Sequence, residues 1–253
     1  MLLDGRNAIV YGAAGRVGTA LATAFAREGA RVHLAGRTGK TLDEVADRIR
    51  ADGGLAETAV LDALDETAVD EHADAVAAGF GSVDISVNVI GIADAQGTPL
   101  AEMSLEDFER PIRIATRSTF LTARAAARHM IRQRSGVILT FGGDGGGEPI
   151  RDYSIGGLQV ALVAVDFLRR QLAAELGAYG IRVLALHTGG IVESLPEDFA
   201  AREAITDMIV GKTMLKRAAT FADVGNVAVF AASDLARSMT ATSLNITCGA
   251  VTD

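Results

Sequence analysis

The sequence predicts a single-domain α/β fold with a doubly wound, parallel sheet of seven strands. Short apolar runs alternate with longer amphipathic stretches along all 253 residues. Most of these runs are continuously apolar, which is the pattern of parallel strands that helices cover on both faces. No proline-rich or serine-rich linker and no internal repeat interrupts the alternation. The whole chain, 1–253, is therefore expected to form one domain.

Seven aliphatic runs are predicted as strands: Asn7–Tyr11, Ala30–Ala35, Leu55–Leu61, Val83–Val89, Gly136–Phe141, Ile181–His187 and Leu244–Thr247. Amphipathic stretches with the helical period lie near 16–28, 40–51, 66–79, 105–134, 154–179 and 222–232. The region 188–220 is less regular and carries a short helix near 199–211. Because it follows the sixth strand, its part near 188–212 is expected at the carboxyl edge of the sheet as a substrate lid. A plain surface excursion is the alternative for this region.

Composition argues against several classes of function. The chain has 24 Lys and Arg against 32 Asp and Glu, a net charge of −8, and no basic tract, so no nucleic-acid partner is expected. No stretch has the length and apolarity of a transmembrane span, and the first residues lack the basic region of a signal peptide, so no membrane partner is expected. The single cysteine, Cys248, fits a reducing cytoplasm. The four histidines lie far apart, so no metal site is expected.

A glycine-rich turn follows the first predicted strand and opens the first helix. It reads Gly12-Ala13-Ala14-Gly15-Arg16-Val17-Gly18. Glycines let the backbone turn tightly and approach a diphosphate, and the helix N-terminus then offers unpaired N–H groups and the positive end of its dipole. At the turn of a first βαβ unit, this spacing indicates a Rossmann-like dinucleotide site formed by Gly12, Gly15, Arg16, Val17 and Gly18.

The end of the second strand indicates which dinucleotide is bound. An NAD enzyme usually carries an acidic residue here, which binds the ribose 2′-hydroxyl. This chain has Gly36 followed by Arg37, and Arg16 lies in the glycine-rich turn. Two guanidinium groups suit a 2′-phosphate, which favours NADP(H) as the cofactor. The alternative is that both arginines are solvated residues at helix starts.

In the order and spacing of its motifs, the chain resembles the short-chain dehydrogenase/reductase family over nearly its whole length. The matching stretches are Tyr11–Gly18, Ala35–Arg37, Leu61-Asp62, Asn88–Gly91, Tyr153-Ser154, Glu175–Gly177, Ile181–Val183, Gly189–Ile191, Asp223-Val224, Ser233-Asp234 and Leu244–Ile246. The resemblance implies that Asp62 meets the adenine amino group and that Asn88 and Gly91 lie beneath the adenosine ribose. It also implies that Gly189 and Ile191 border the nicotinamide, and that a homodimer or homotetramer forms through the helices near 105–134 and 154–179.

Catalysis in that family resembles a relay of Asn, Ser, Tyr and Lys, and this chain departs from it at three positions. Tyr153, which is expected to open the long helix after the fifth strand, matches the acid/base. Gly157 stands at the Lys position, Ala115 at the Asn position and Gly143 at the Ser position. Because an unperturbed tyrosine has a pKa of about 10, Tyr153 is expected to donate a proton in reduction but to be a poor base in oxidation. A packed aromatic at a helix start is the alternative role for Tyr153.

Other groups are candidates for the missing part of the relay. His187 ends the sixth predicted strand, and an unperturbed pKa of about 6.5 suits acid/base work. A structural histidine is the alternative. Four charged residues on the loop before Tyr153 are weaker candidates: Asp144, Glu148, Arg151 and Asp152. Gly157 in place of Lys is expected to leave space beside the cofactor, either for a larger ligand or for the close approach of another helix.

Three functions fit these observations. The first is a short-chain-type oxidoreductase that uses NADP(H) for hydride transfer to a small carbonyl, enone or quinone-like substrate, with Tyr153, helped by His187, as a non-standard proton donor. The second is a non-catalytic NADP(H)-binding sensor or scaffold protein. The third is a hydride-free lyase or cyclase on the same fold. Tight NADPH binding with substrate-dependent turnover distinguishes the first from the other two.

Overall fold

The computed structural model describes residues 1–142 and 153–252. Within these residues, seven strands form one sheet: β1 (Asn7–Tyr11), β2 (Arg31–Gly36), β3 (Leu55–Val60), β4 (Ile85–Asn88), β5 (Gly136–Phe141), β6 (Ile181–Thr188) and β7 (Ser243–Ile246). Every pair of neighbouring strands is parallel. The order is β3-β2-β1-β4-β5-β6-β7, so the direction in which strands are added reverses between β1 and β4. The predicted doubly wound, seven-stranded parallel sheet is confirmed.

The same residues contain seven α-helices: α1 (Arg16–Arg27), α2 (Gly39–Ala51), α3 (Glu66–Phe80), α4 (Leu105–Gln133), α5 (Leu158–Leu176), α6 (Arg202–Lys212) and α7 (Phe221–Ala232). Side-chain caps fix several of their starts. Asp65 accepts a hydrogen bond from Ala68 N of α3 at 3.1 Å, and Ser104 accepts one from Asp107 N of α4 at 3.1 Å. None of the described helices combines the length and the apolarity that a membrane crossing requires.

Helices cover both faces of the sheet, and alternate residues of each strand enter one of two cores. On β1, Ala8 and Val10 join residues of α1, α2 and α7, whereas Ile9 and Tyr11 join residues of α3, α4 and α5. All residues of β1 are consequently buried. This two-sided burial explains why the strands read as continuous apolar runs in the sequence.

The start of α5 differs from the prediction. The sequence predicts a helix from about 154, but α5 begins at Leu158, so Tyr153 does not open it. Gly156 has a φ of 55°, and Gly157 is the N-cap residue. A Cβ at Gly157 would collide with the carbonyl oxygen of Phe108 in α4. Glycine is therefore needed here for the close approach of α4. The space beside Gly157 is occupied by that helix and not left open for a larger ligand, the other use expected from the sequence.

The lid segment, defined as residues 188–212, follows β6. A 3₁₀ turn at Val192–Ser194 comes first in this segment, and α6 follows it. Helix α6 is the short helix that the sequence predicts near 199–211. Gly190 lies close against α6, because a Cβ at this position would come within 2.6 Å of Ile209 Cδ1. The segment leaves the sheet at its carboxyl edge, as the sequence predicts.

Candidate functional site

A cleft of about 740 Å³ opens at the carboxyl edge of the sheet. Its glycine-rich half consists of residues that follow β1, β2, β3 and β4: Gly12, Ala14–Gly18, Gly36–Thr38, Asp62 and Asn88–Gly91. Its apolar half consists of residues from the loop after β4 and from α4, β5 and α5: Ile92, Ile114, Ala115, Phe141, Gly142, Leu158, Leu162 and Val165. The cleft lies beside the point where the strand order reverses, which is where open α/β sheets bind ligands.

The turn after β1 is packed so closely at Gly12 and Gly18 that a side chain does not fit at either position. Gly12 has a φ of 85°, and a Cβ there would lie 2.6 Å from Val89 O. A Cβ at Gly18 would collide with the carbonyl oxygen of Gly12. Gly15 caps α1 without a side-chain hydrogen bond, so the first N–H groups of the helix have no side-chain partner at this cap. The turn thus presents bare backbone to the cleft, as an anion-binding turn requires.

Arg37 and Asp62 line the cleft on the other side of this turn. Arg37 is exposed, and among the described residues no hydrogen bond or ion pair involves its side chain. The Asp62 carboxylate accepts a hydrogen bond from Leu64 N at 3.0 Å, which fixes its position after β3. The structure therefore brings both residues to the cleft and leaves the Arg37 guanidinium available to a ligand.

Arg16 lies at the cleft but is already engaged. Its Nη1 donates to the backbone oxygen of Glu193 at 2.5 Å and lies 3.5 Å from that of Leu195. These acceptors belong to the lid segment, 177 and 179 residues further along the chain. The two arginines expected to share one phosphate thus have different surroundings, because Arg37 is free and Arg16 is attached to the lid segment.

Asn88 organises the loop that follows β4. Its side-chain oxygen accepts a hydrogen bond from Ile90 N at 3.0 Å, and its Nδ2 donates to Ser118 Oγ at 3.0 Å and lies 3.3 Å from Thr119 Oγ1. Gly91 lines the cleft just beyond. Ser118 and Thr119, which were not predicted from the sequence, also line the cleft. The sequence feature that could have identified them is a pair of adjacent hydroxyl residues in the middle of the largely apolar inner face of α4.

The apolar half contrasts with this polar arrangement. Leu158 and Leu162 are four residues apart at the start of α5, so they share one helix face, and both line the cleft with Val165. Ala115 of α4 packs against Ala161 and Val165. The ionisable side chains of the described lining are Tyr11, Arg16, Arg37, Asp62 and Asp94, and none of them comes from α4, β5 or α5.

Comparisons with known proteins agree with this geometry. Residues 12–251 match the family described as enoyl-(acyl carrier protein) reductase. Gluconate 5-dehydrogenase of Gluconobacter oxydans is 30% identical over 231 residues, which are 91% of this chain and 89% of that protein. A short-chain type dehydrogenase/reductase from Mycobacterium marinum is 28% identical, with a TM-score of 0.85, and the match covers 96% of this chain and 94% of that one.

The chain belongs to the short-chain dehydrogenase/reductase family. Another relative of known structure is a gluconate 5-dehydrogenase from Burkholderia cenocepacia in complex with NADP and tartrate. It is 27% identical, with a TM-score of 0.89, and the match covers 98% of this chain and 96% of that one. Membership places this chain among the short-chain-type oxidoreductases.

Tyr153, the residue that resembles the acid/base of short-chain dehydrogenases, is not part of the described cleft lining. Its side chain is 53% exposed, and its hydroxyl lies beside Gly97 in the loop after β4. The backbone N–H of Gly97 donates to Ser154 O at 2.7 Å, which ties the two loops together. The family's Tyr and Lys are four residues apart. On α5, the two residues with this spacing that line the cleft are Leu158 and Leu162. The two glycines before Leu158 are the sequence signal for this later helix start, because glycine disfavours a helix interior.

His187, Gly189 and Ile191 also lie outside the described lining. Thr188 lines the cleft, and strand alternation turns the preceding His187 to the other face of β6. Gly189 lies against Thr247, and Ile191 is buried in a core of the sheet. Five residues considered from the sequence fall outside the described residues: Gly143, Asp144, Glu148, Arg151 and Asp152.

Tyr11 is the tyrosine of the described lining, but it is not poised for proton transfer. Burial and then the charge of Asp70 raise the pKa of Tyr11 well above its usual value. Its ring packs edge-on against His72 with 6.0 Å between centroids, and burial lowers the pKa of His72 to about 4. Both groups are therefore neutral near pH 7. Across the described residues, no group of three or more His, Cys, Asp or Glu side chains is placed to hold a metal ion.

Proposed function

We propose that this short-chain dehydrogenase/reductase binds NADP(H), with the nucleotide in the glycine-rich half of the cleft. The turn of Gly12, Gly15, Val17 and Gly18 suits the diphosphate, because its three glycines have no side chain that would keep a ligand from their backbone. Asp62 would meet the adenine, and Asn88 and Gly91 the ribose, since all line the same half. The complex of a related gluconate 5-dehydrogenase with NADP supports the proposal.

Arg37 is the residue on which the preference for NADP(H) over NAD(H) rests. A 2′-phosphate at the end of β2 would meet its unpaired guanidinium, and charge-assisted hydrogen bonds of this kind are worth roughly 1.5–3 kcal/mol. Titration of the purified protein is expected to show that Arg37→Ala weakens NADPH binding about 10- to 100-fold and leaves NADH binding within about 2-fold.

Arg27→Ala is the matched control, because Arg27 is an exposed arginine in the last turn of α1, at the end of that helix opposite the cleft. An equal loss of affinity for both nucleotides in Arg37→Ala would contradict the assignment to the 2′-phosphate. Failure of the unmodified protein to bind either nucleotide would contradict the proposed function itself.

For the reaction, we propose the reduction of an apolar enone or quinone-like acceptor. Bound NADPH supplies a hydride. The apolar half would exclude water from the reacting atoms, and α4, β5 and α5 place no ionisable side chain there among the described residues. An acceptor whose reduced form is a stabilised anion, an enolate or a hydroquinone anion, takes up the hydride in the cleft and then takes a proton from solvent water on release. Each turnover consumes one NADPH and one proton.

This choice of substrate is tested by NADPH oxidation with acceptors of similar size: a quinone, an enone and a simple ketone. Turnover with the quinone or the enone is expected to exceed that with the ketone at least about 100-fold, because the loss of a positioned acid typically costs 10²–10⁴-fold. Equal or faster turnover of the ketone would contradict the proposal. Tight NADPH binding without turnover of any acceptor would favour a non-catalytic NADP(H)-binding protein, the second candidate that the apolar half supports.

We also propose a homodimer or homotetramer that forms through the outer faces of α4 and α5. Large apolar side chains on these faces are exposed by 46% to 69%: Phe120, Val160, Val163 and Phe167. Such a patch is typical of a surface that another subunit covers. Sedimentation velocity is expected to show an oligomer for the unmodified protein and a monomer for the variant Phe167→Asp.

A further inference from the structure

Two of the hydrogen bonds that attach the lid segment to the body of the molecule converge on Glu193, and Arg16 Nη1 also lies 3.5 Å from Leu195 O. The backbone oxygen of Glu193 accepts from Arg16 Nη1 at 2.5 Å, and its carboxylate Oε2 accepts from the backbone N–H of Phe221 at 2.6 Å. Arg16 is the first residue of α1, and Phe221 is the first residue of α7. The lid segment is therefore held by the first turns of two different helices.

These two helices form one firm support. Gly225 of α7 faces Ala20 and Ala24 of α1, and a Cβ at Gly225 would lie 2.9 Å from Ala24 Cβ. Packing this close leaves little freedom for one helix to move relative to the other. Phe221 and Ser194 line the cleft at this place, so the attached lid segment forms part of the cleft wall.

Arg16 has hydrogen-bonding capacity that the lid segment does not use. Its bonds within the described residues involve Nη1 alone. A guanidinium group carries five N–H donors in a planar fork, so Nε and Nη2 remain for another acceptor. Arg16 also lies in the glycine-rich turn and lines the cleft. A diphosphate bound on that turn would therefore lie near the Arg16 side chain.

We propose that Arg16 is a positioning residue that couples the lid segment to the bound nucleotide. Nη1 holds the backbone oxygen of Glu193 while the other nitrogens bind the diphosphate, so the nucleotide leaves only after this bridge opens. The inference rests on the proposed nucleotide site, and it gives Arg16 a different role from the 2′-phosphate contact expected from the sequence. The Glu193 carboxylate, held by Phe221 N, is the second attachment and contributes without touching the nucleotide.

The test compares nucleotide release with the accessibility of the lid segment in the full-length protein. Stopped-flow displacement of NADPH measures its dissociation rate, and limited trypsin cleavage after Arg202, in the lid segment, measures how firmly that segment is attached. Arg16→Ala is expected to speed release about 10- to 100-fold, as the loss of a charge-assisted hydrogen bond implies, and to abolish the protection of Arg202 by NADPH.

Variants at Glu193 change the attachment of the lid segment to α7 without removing a contact to the phosphate. Glu193→Ala removes the acceptor of Phe221 N and is expected to speed release about 3- to 10-fold, whereas Glu193→Gln keeps an acceptor oxygen and is expected to restore most of the slow release. Arg16→Lys keeps the charge but offers no planar fork, so it is expected to release NADPH faster than the unmodified protein.

The outcomes distinguish this inference from the function on which it rests. Unchanged release from Glu193→Ala, or faster release from Arg16→Ala with unchanged protection of Arg202, would overturn the coupling while leaving the nucleotide site in place. Absence of NADPH binding by the unmodified protein would overturn the proposed function together with the coupling. Arg27→Ala, a change of an exposed arginine on the same helix, is expected to release NADPH at the unmodified rate.

Discussion

The two halves of the cleft are built by different means. In the glycine-rich half, the surface near Gly12 and Gly18 is backbone, and its shape follows from one strand, one turn and one helix that are contiguous in sequence. In the apolar half, the surface consists of side chains from β5, α4 and α5, and the position of Leu158 depends on where α4 meets Gly157. The turn of the first half comes from one contiguous segment with one close approach from Val89, whereas the second half depends on the packing of separate helices.

This difference determines how much substitution each half of the cleft can accept. A substitution at Gly12 or Gly18 in the glycine-rich half meets backbone within 3 Å, so little can change at these two positions without loss of shape. The face of α5 that meets the cleft accepts any apolar side chain of suitable size, because only packing constrains Leu158 and Leu162. We therefore expect the two halves to respond very differently to substitution.

The largest effect is expected from Gly18→Ala. A Cβ at this position would collide with the carbonyl oxygen of Gly12, so the turn must shift and the backbone no longer fits a diphosphate. NADPH affinity is expected to fall at least about 100-fold, since overpacking against backbone costs roughly 1–3 kcal/mol and also displaces the ligand-binding N–H groups. Isothermal titration calorimetry measures the loss, and thermal unfolding reports the accompanying destabilisation.

Gly79→Ala is the matched control for that variant. Gly79 also lies within a helix, α3, but a Cβ there would meet nothing within 4 Å. The control is expected to bind NADPH normally and to be up to about 1 kcal/mol more stable, because alanine favours a helix more than glycine does. Normal NADPH binding by Gly18→Ala would show that the glycine-rich half is less constrained than its packing indicates.

A smaller effect is expected when the apolar half is given a proton donor. In the double variant Leu158→Tyr with Leu162→Lys, a phenol and an ammonium group stand on the helix face that lines the cleft, at the spacing of the family's Tyr and Lys. Ketone reduction by NADPH is expected to rise about 10-fold, below the usual 10²–10⁴-fold of a complete acid, because Ala115 still provides no polar partner.

Each single variant serves as a control for the pair, because the phenol alone lacks the neighbouring charge and the ammonium alone is a poor donor in an apolar site. Both are expected to reduce the ketone more slowly than the double variant. A double variant that folds and binds NADPH but gains no ketone reduction would show that this helix face does not meet the reacting atoms.

The same distinction explains what the sequence predicts well. Strand β1 and the turn to α1 are predictable because a strand buried on both faces reads as a continuous apolar run, and because only glycine fits positions 12 and 18. The edge strand β3 is predictable too, although its residues alternate between the core and solvent. In each case most of the decisive interactions lie within one βαβ unit, and the close approach of Val89 to Gly12 is the exception.

Contacts between distant parts of the chain were not predictable in this way. The start of α5 is set by Gly157 against Phe108, which is 49 positions earlier by residue number. The engagement of Arg16 is set by Glu193, which is 177 residues away. A tyrosine at position 153 satisfies the family pattern in sequence, and only the packing of α4 on α5 shows that its side chain lies elsewhere.

The smallest effect is therefore expected from Tyr153→Phe. Its hydroxyl is in a half-exposed side chain beside Gly97 and is not part of the described lining, so its removal leaves both halves of the cleft as they are. NADPH affinity and the turnover of the best quinone or enone acceptor are expected to stay within about 2-fold of the unmodified protein, as surface substitutions usually do. A decrease in turnover of about 100-fold with unchanged NADPH affinity would instead identify Tyr153 as the acid. That result would require Tyr153 to reach the apolar half when substrate is bound, and the contrast between the two halves would then hold only for the free protein.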